Sequence, residues 1–412
     1  MFGTRARSRA YNVSMNTAQS RLQLPALTSL RYLAAVWVAV FHAQAMRAFF
    51  GPEWFQPIAM VGYLGVSFFF VLSGFILVYT YADRAVSLGE FWQLRFARIY
   101  PAFLFSLLLT APGFFYVCLK LDVAKTVPEW IWPAAHLKIA AITTLAMVQT
   151  WIPQNSMAWH MPTWSLSNEA FFYLLFPFLL PAFVRFSRKQ LVAILPVGFA
   201  FGLLVTVVYR VWNPDGPLAL DPHAIAPWQY FVKFNPILRL PEFLMGMACG
   251  VLFLRSAPSR RWAWPLILAG VAMVAVVATV LHRNPFLLLH AAAVGPAFAA
   301  IIYGVALKPA AGALLENRFF VLLGDVSYSF YLLHPLVISA YVGFFHDAAG
   351  NLRRQNPLWF LLPIATITVI SFLVYRFIEQ PMRRVLRPKR KEKTQQIELA
   401  TGRKVHPAAA AN

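Results

Sequence analysis

The sequence predicts an all-α, polytopic membrane protein: a bundle of about ten transmembrane helices with both termini in the cytoplasm. Three observations carry that expectation. The 412 residues are 59% hydrophobic and 16% aromatic but only 12% charged, whereas a soluble domain averages about 45–50% apolar and about 25% charged residues. Apolar runs of about 20 residues, the length that crosses a hydrocarbon core, recur along the chain. Basic residues concentrate in alternate loops, at Arg84, Arg95 and Arg98, at Arg185, Arg188 and Lys189, at Arg255, Arg260 and Arg261, and in the C-terminal tail. That asymmetry is the positive-inside pattern. It explains a net charge of +21 that in a soluble chain would suggest nucleic acid, so no nucleic-acid partner is expected.

Residues 1–28 read as a basic cytoplasmic arm. The first span, about 30–50, carries Arg31 and His42. Eleven residues are about three helical turns, so both side chains project from one face roughly 16 Å apart. An ionisable group at bilayer depth costs about 2.5–3.5 kcal/mol on insertion scales, so both must face protein or a polar cavity. The second span, about 61–82, contains GVSFFFVLSGF. There Gly65, Ser67, Ser73 and Gly74 permit close helix packing, and either serine is also a candidate nucleophile. Ahead of the span at 99–120, LRFARIYPAF sets Arg95 and Arg98 on one helical face, an arrangement that suits phosphate or simple membrane anchoring. The run 137–152 is short and interrupted by Thr143, Thr144 and Gln149, and reads as interfacial or re-entrant.

The fourth span, about 165–184, places Glu169 roughly one turn inside its outer end, at the depth expected of His42. A carboxylate beside that imidazole would fix its tautomer, as a general base requires, so a His42–Glu169 contact is expected. After a span at 190–210, Arg239 and Glu242 open the span at 237–254. Their i,i+3 spacing supports either an ion pair locking the helix end or a role in the site. Spans at 262–281 and 286–307 precede one at 322–345, where His334 lies at mid-depth before Pro335 and is either a packing histidine or a site member. A last span at 358–378 leads to a basic tail, 381–412. Cys118 and Cys249 read as packing residues. No phosphate-cradling loop, CxxC pair, HExxH or GxSxG motif occurs, so metal and nucleotide chemistry find no support.

Taken together, these motifs resemble the membrane acyltransferase-3 family of integral-membrane O-acyltransferases. Its Arg-x10-His is met by Arg31 and His42, and its G-x-x-x-F-F-x-x-S-G-F/Y span by residues 65–75. R-x-x-R-I/L-x-P is met by Arg95, Arg98, Ile99 and Pro101, and W-S-L-x-x-E-x-x-F/Y by Trp164, Ser165, Leu166, Glu169 and Phe172. R-x-x-E-F-x-x-G matches Arg239, Glu242, Phe243 and Gly246. S-Y-S-x-Y-L-x-H matches Ser327, Tyr328, Ser329, Tyr331, Leu332 and His334, and E-x-P matches Glu379 and Pro381. The resemblance covers about residues 25–385, and residues 29–380 would form the membrane domain. Asn168 stands where many relatives have an acidic or small residue, and Gln380 replaces a common Arg.

The resemblance implies transfer of an acyl group, by default acetyl, from cytoplasmic acyl-CoA to a hydroxyl of an exported carbohydrate such as a polysaccharide or lipid-linked repeat unit. Acetyl-CoA would be a donor substrate, with no cofactor bound permanently and no metal. Arg95 and Arg98 would hold the donor's phosphates and Arg31 would orient it. His42 would act as base or transient acyl carrier, with Glu169. Ser67, Trp164, Ser165, Tyr173, Arg239, Glu242, Tyr328 and His334 would support the site or touch substrate. The expected setting is the bacterial inner membrane, with polysaccharide-assembly proteins as candidate partners. Many relatives carry a C-terminal SGNH-type hydrolase domain, which this chain is expected to do without. Acylation of a small molecule or lipid alcohol is the alternative. A transporter or flippase would also line its path with titratable groups, but the internal repeat such folds usually carry is not visible.

Overall fold

The computed structural model describes residues 24–46, 53–84, 86–120, 137–220, 226–256, 259–280, 293–307, 313–345 and 361–388. Most of the N-terminal arm, the end of the tail and the Cys118 side chain lie outside the described residues; Cys249 is buried and unbridged. Among the described residues the secondary structure is helical, without strands. In chain order the α-helices are α1 Pro25–Ala45, α2 Gln56–Met60, α3 Leu64–Tyr81, α4 Leu88–Lys120, α5 Leu137–Leu145, α6 Trp164–Arg185, α7 Arg188–Trp212, α8 Pro227–Phe234, α9 Pro236–Arg255, α10 Ala263–Val280, α11 Gly295–Ala306, α12 Arg318–Phe345, α13 Leu361–Val374 and α14 Gln380–Val385. A π-helical turn, Tyr375–Glu379, joins the last two. Among the described residues, nine stretches are long and apolar enough to cross a membrane. The span expected at 286–307 is represented by the 12-residue α11, because residues 281–292 are outside the described set.

Two helix pairs organise the site. Ala35, Ala39 and Ala43 recur every fourth residue on α1 and are almost fully buried against Phe330, Val337 and Ile338 of α12. A stripe of small side chains lets two helices approach closely in a membrane, and here it brings the first histidine-bearing helix onto the second. Helices α3 and α9 also cross closely. A Cβ on Gly74 would collide with the Phe243 carbonyl, and one on Gly246 with the Val71 carbonyl. On α9, Phe243 also stacks on Phe172 of α6 with ring centroids 4.9 Å apart.

The segment after α5 does not cross the bundle. It continues through three 3-10 turns, Gln149–Trp151, Pro153–Asn155 and Met161–Thr163, with Gln149, Thr150, Asn155, Ser156, His160 and Thr163 buried. Non-helical backbone inside a membrane domain needs protein partners, and these residues supply them. Gln149 Nε2 donates to Thr163 O at 3.0 Å. Thr150 meets Ser167 at 2.7 Å and donates to Asn168 Oδ1 at 3.2 Å. Asn168 is thereby a structural anchor of the re-entrant loop.

Candidate active site

At the end of the bundle where α1 begins, a cavity of about 380 Å³ opens between α1, α3, α4, α6 and α12. Its mouth is basic: Arg31 from the first turns of α1, Arg95 and Arg98 from α4, and Arg383 from α14 line it, with Asp325 and Glu169 as the acidic counterparts. Going inward the wall becomes apolar and aromatic, through Ile76, Leu72, Phe70, Phe69 and Val66 of α3, and it ends at Ser165 and Tyr331. The spacing of Arg95 and Arg98 therefore serves a cavity. Arg95 Nη2 donates to Tyr81 OH at 2.9 Å, and its guanidinium lies over the Tyr81 and Tyr173 rings at 5.4 and 5.8 Å. Among the described residues neither Arg31 nor Arg98 makes a hydrogen bond or a close ion pair, so both keep their donors for something that enters the cavity.

The motif residues hold one another in place around this space. Tyr328 OH donates to Ile99 O at 2.7 Å, tying α12 to α4. Ser165 Oγ lies 2.8 Å from Tyr331 OH, so α6 and α12 close the deep end together. Ser329 Oγ donates to Glu379 Oε2 at 3.1 Å, and Arg383 Nη1 donates to Glu379 Oε1 at 3.2 Å. Buried Glu379 is thus the clamp that presents Arg383 to the mouth. The roles of Glu379, Arg383, Asp325 and Tyr331 were not anticipated from sequence. The signal available was the E-x-P motif with Arg383 four residues beyond its glutamate.

One turn past Tyr331 along α12 stands His334, and it meets His42 of α1: His334 Nε2 lies 3.0 Å from His42 Nδ1. His334 Nδ1 is 2.6 Å from Tyr331 O, and His42 Nδ1 is 3.1 Å from Val38 O. A carbonyl oxygen only accepts, so both Nδ1 atoms carry protons. In the neutral pair His334 Nε2 is then bare and accepts from His42 Nδ1–H. His42 Nε2 is left with its lone pair free, the form a general base requires. His160 braces the same region, its Nε2–H donating to Leu332 O at 2.7 Å.

The expected contact between His42 and Glu169 is not formed. Glu169 accepts from Tyr173 OH and, at 3.5 Å, from Ser73 Oγ, and it faces the arginine-lined cavity. The physical reason is the re-entrant loop, which lets α6 begin at buried Trp164 inside the bundle, with its polar face towards α3 and α4.

Ser67, Trp164, Arg239 and Glu242 form a separate buried cluster. Arg239 Nη2 pairs with Glu242 Oε2 at 2.9 Å and donates to Ser67 Oγ at 3.0 Å. Its guanidinium lies over Phe70 and Trp164 at 5.3 and 5.8 Å. The two buried charges compensate each other, and Arg239 supports the cavity wall through Phe70. Of the predicted residues, then, the cavity gathers Arg31, Arg95, Arg98, Ser165, Glu169, Tyr173 and Tyr328. His42 and His334 stand together just beyond it.

Comparison with known proteins gives the same assignment. The acyltransferase domain of the acyltransferase-3 family matches residues 24–382. Acyltransferase MdmB of Streptomyces mycarofaciens is 28% identical over 389 residues, covering 89% of this chain and 93% of that protein. O-acetyltransferase OatA of Staphylococcus aureus is 24% identical over 395 residues, covering 88% of this chain and 57% of that protein. Peptidoglycan O-acetyltransferase OatA of Listeria monocytogenes is 26% identical over 400 residues, covering 89% and 57% respectively. The chain thus spans a little over half of these OatA proteins. No solved structure matches it. A match over nearly the whole membrane domain places this chain in the acyltransferase-3 family, and it is an integral-membrane acyltransferase.

Proposed function

We propose that the protein takes an acyl group, acetyl by default, from cytoplasmic acyl-CoA and transfers it to a hydroxyl of an exported carbohydrate on the far side of the membrane. The observation that carries this reading is the four-arginine cavity whose inner end, at Tyr331, stops one helical turn from His334, the residue that holds His42 with its Nε2 lone pair free. The positive-inside bias supports a cytoplasmic arginine mouth. Guanidinium forks at Arg98 and Arg31 suit the phosphates of coenzyme A, and the apolar wall suits the thioester arm. His42 Nε2 removes the acceptor's hydroxyl proton as its oxygen attacks the thioester carbonyl. When the carbon–sulfur bond breaks, the imidazolium returns that proton to the thiolate. General-base action by a positioned histidine contributes typically about 10²–10⁴-fold. Positioning in a water-poor cavity supplies more of the rate. The carbohydrate class of acceptor is supported by the similarity to proteins named peptidoglycan O-acetyltransferase.

The test compares envelope glycans from cells carrying the wild type or His42→Ala by mass spectrometry, with membrane levels of the protein measured alongside. Loss of one acyl increment at unchanged protein level is expected. Retention of the ester in the variant overturns His42 as the base. Glycans that keep every ester even when the gene is deleted would move the acceptor to a small molecule or lipid alcohol.

A further inference from the structure

A second cavity, of about 820 Å³, lies between α7, α9, α10 and α11. Three arginines face it from three helix ends. Arg188 is the first residue of α7, Arg255 the last of α9, and Arg261 sits in the 3-10 turn Arg260–Trp262 that leads into α10. No acidic residue lines it, so three positive charges converge without a counter-charge. Arg255 donates to the carbonyls of Phe186 and Val184, closing the end of α6, but a carbonyl leaves its charge uncompensated. Arg261 lies over the Trp262 ring at 5.7 Å. Arg188 makes no hydrogen bond or close ion pair among the described residues. Beneath this basic rim the floor is apolar, built by Leu195, Leu252, Leu266 and Ala299.

Helix ends mark the level of the lipid headgroups, and Trp262 and Trp264, exposed by 53% and 47%, fit the aromatic belt found there. The positive-inside rule explains basic residues in these loops. It does not explain their convergence over an apolar hollow. An anion alone would use the rim and leave the floor idle, whereas an amphiphile uses both. We propose that this cavity binds an anionic phospholipid of the adjoining leaflet, its phosphate on Arg188 and Arg261 and an acyl chain along Leu195, Leu252 and Leu266. Basic pockets between transmembrane helices recognise such headgroups, and the volume lies within the usual range of about 300–1,000 Å³ for small-molecule sites.

The experiment is native mass spectrometry of the full chain in detergent, titrated with phosphatidylglycerol or with phosphatidylcholine. Phosphatidylglycerol should be retained in preference, and the double variant R188Q/R261Q should weaken it at least about tenfold, the scale of losing one charge-assisted hydrogen bond. Leu252→Trp, which fills the floor, should weaken it too, and excess inorganic phosphate should leave it bound. Should the double variant fail to accumulate, Arg261→Gln alone, in an exposed turn, carries the same expectation at smaller size. Equal retention of the two lipids, or no loss in the arginine variants, overturns the proposal. Displacement by inorganic phosphate with an inert Leu252→Trp would also overturn it, in favour of a free-anion site.

Discussion

A backbone carbonyl can only accept a hydrogen bond, and that fact orders the protons of the two histidines. Tyr331 O takes the proton of His334 Nδ1, which leaves His334 Nε2 as the acceptor that keeps His42 in its Nδ1–H tautomer. His334 is therefore a positioning residue acting through His42. His334→Leu leaves Val38 O as the remaining partner of His42 Nδ1–H and should lower kcat by about 10²-fold, the lower range for general-base action, while the KM for acyl-CoA stays near wild type because His334 does not line the donor cavity. His334→Gln offers an amide oxygen near the Nε2 position and should recover part of that loss. Equal kcat in the two variants, or a loss carried in KM, would assign His334 to packing. This pair was not legible in the sequence. The two histidines are 292 positions apart, and their meeting depends on how far α1 rotates against α12. The alanine stripe that sets the rotation reads as ordinary membrane-helix composition until its partner is known.

Elements convert such small residues into geometry. Helices α3 and α9 cross so closely that Gly74 and Gly246 have backbone where a side chain would begin, and the same crossing holds Arg239 beneath Phe70 and Ser67. Gly246→Ala forces two backbones apart and should cost about 1–3 kcal/mol, the usual range for overpacking, read as a lower thermal midpoint in detergent. Gly113→Ala in α4, where nothing lies within 4 Å of the new methyl, is the control and should leave the midpoint unchanged or slightly raised. Equal shifts in both would show that helix propensity, rather than the crossing, sets the effect. Span boundaries were largely readable from apolar runs, because about 20 residues of hydrocarbon must be crossed whatever the fold. The depth of Glu169 was not readable. It follows from the buried loop before α6, whose polar residues are satisfied by contacts such as Thr150 with Ser167, and composition carries no trace of that pairing.

At the scale of the whole molecule, the first cavity has its arginines at the mouth and the paired imidazoles beyond its inner end. Binding and chemistry should therefore separate in kinetics. Arg98 keeps its donors unused, and it faces the cavity near Arg31 and Arg95. Charged hydrogen bonds contribute about 1.5–3 kcal/mol each, so Arg98→Gln should raise the KM for acyl-CoA by about 10–100-fold and change kcat little. Arg98→Lys keeps the charge but loses the planar fork, and should fall between Gln and wild type. Added salt should raise the wild-type KM for the donor, since the mouth is open to screening, and should do so less in Arg98→Gln, which has one charge fewer to screen. The opposite split, with kcat reduced at constant KM, would place Arg98 at the reacting atoms and separate donor binding from the arginine mouth. Arg95 and Arg98 could be picked out from their spacing alone. Arg383 could not, because its place beside them depends on buried Glu379, and a basic residue after the last apolar run otherwise looks like any membrane anchor.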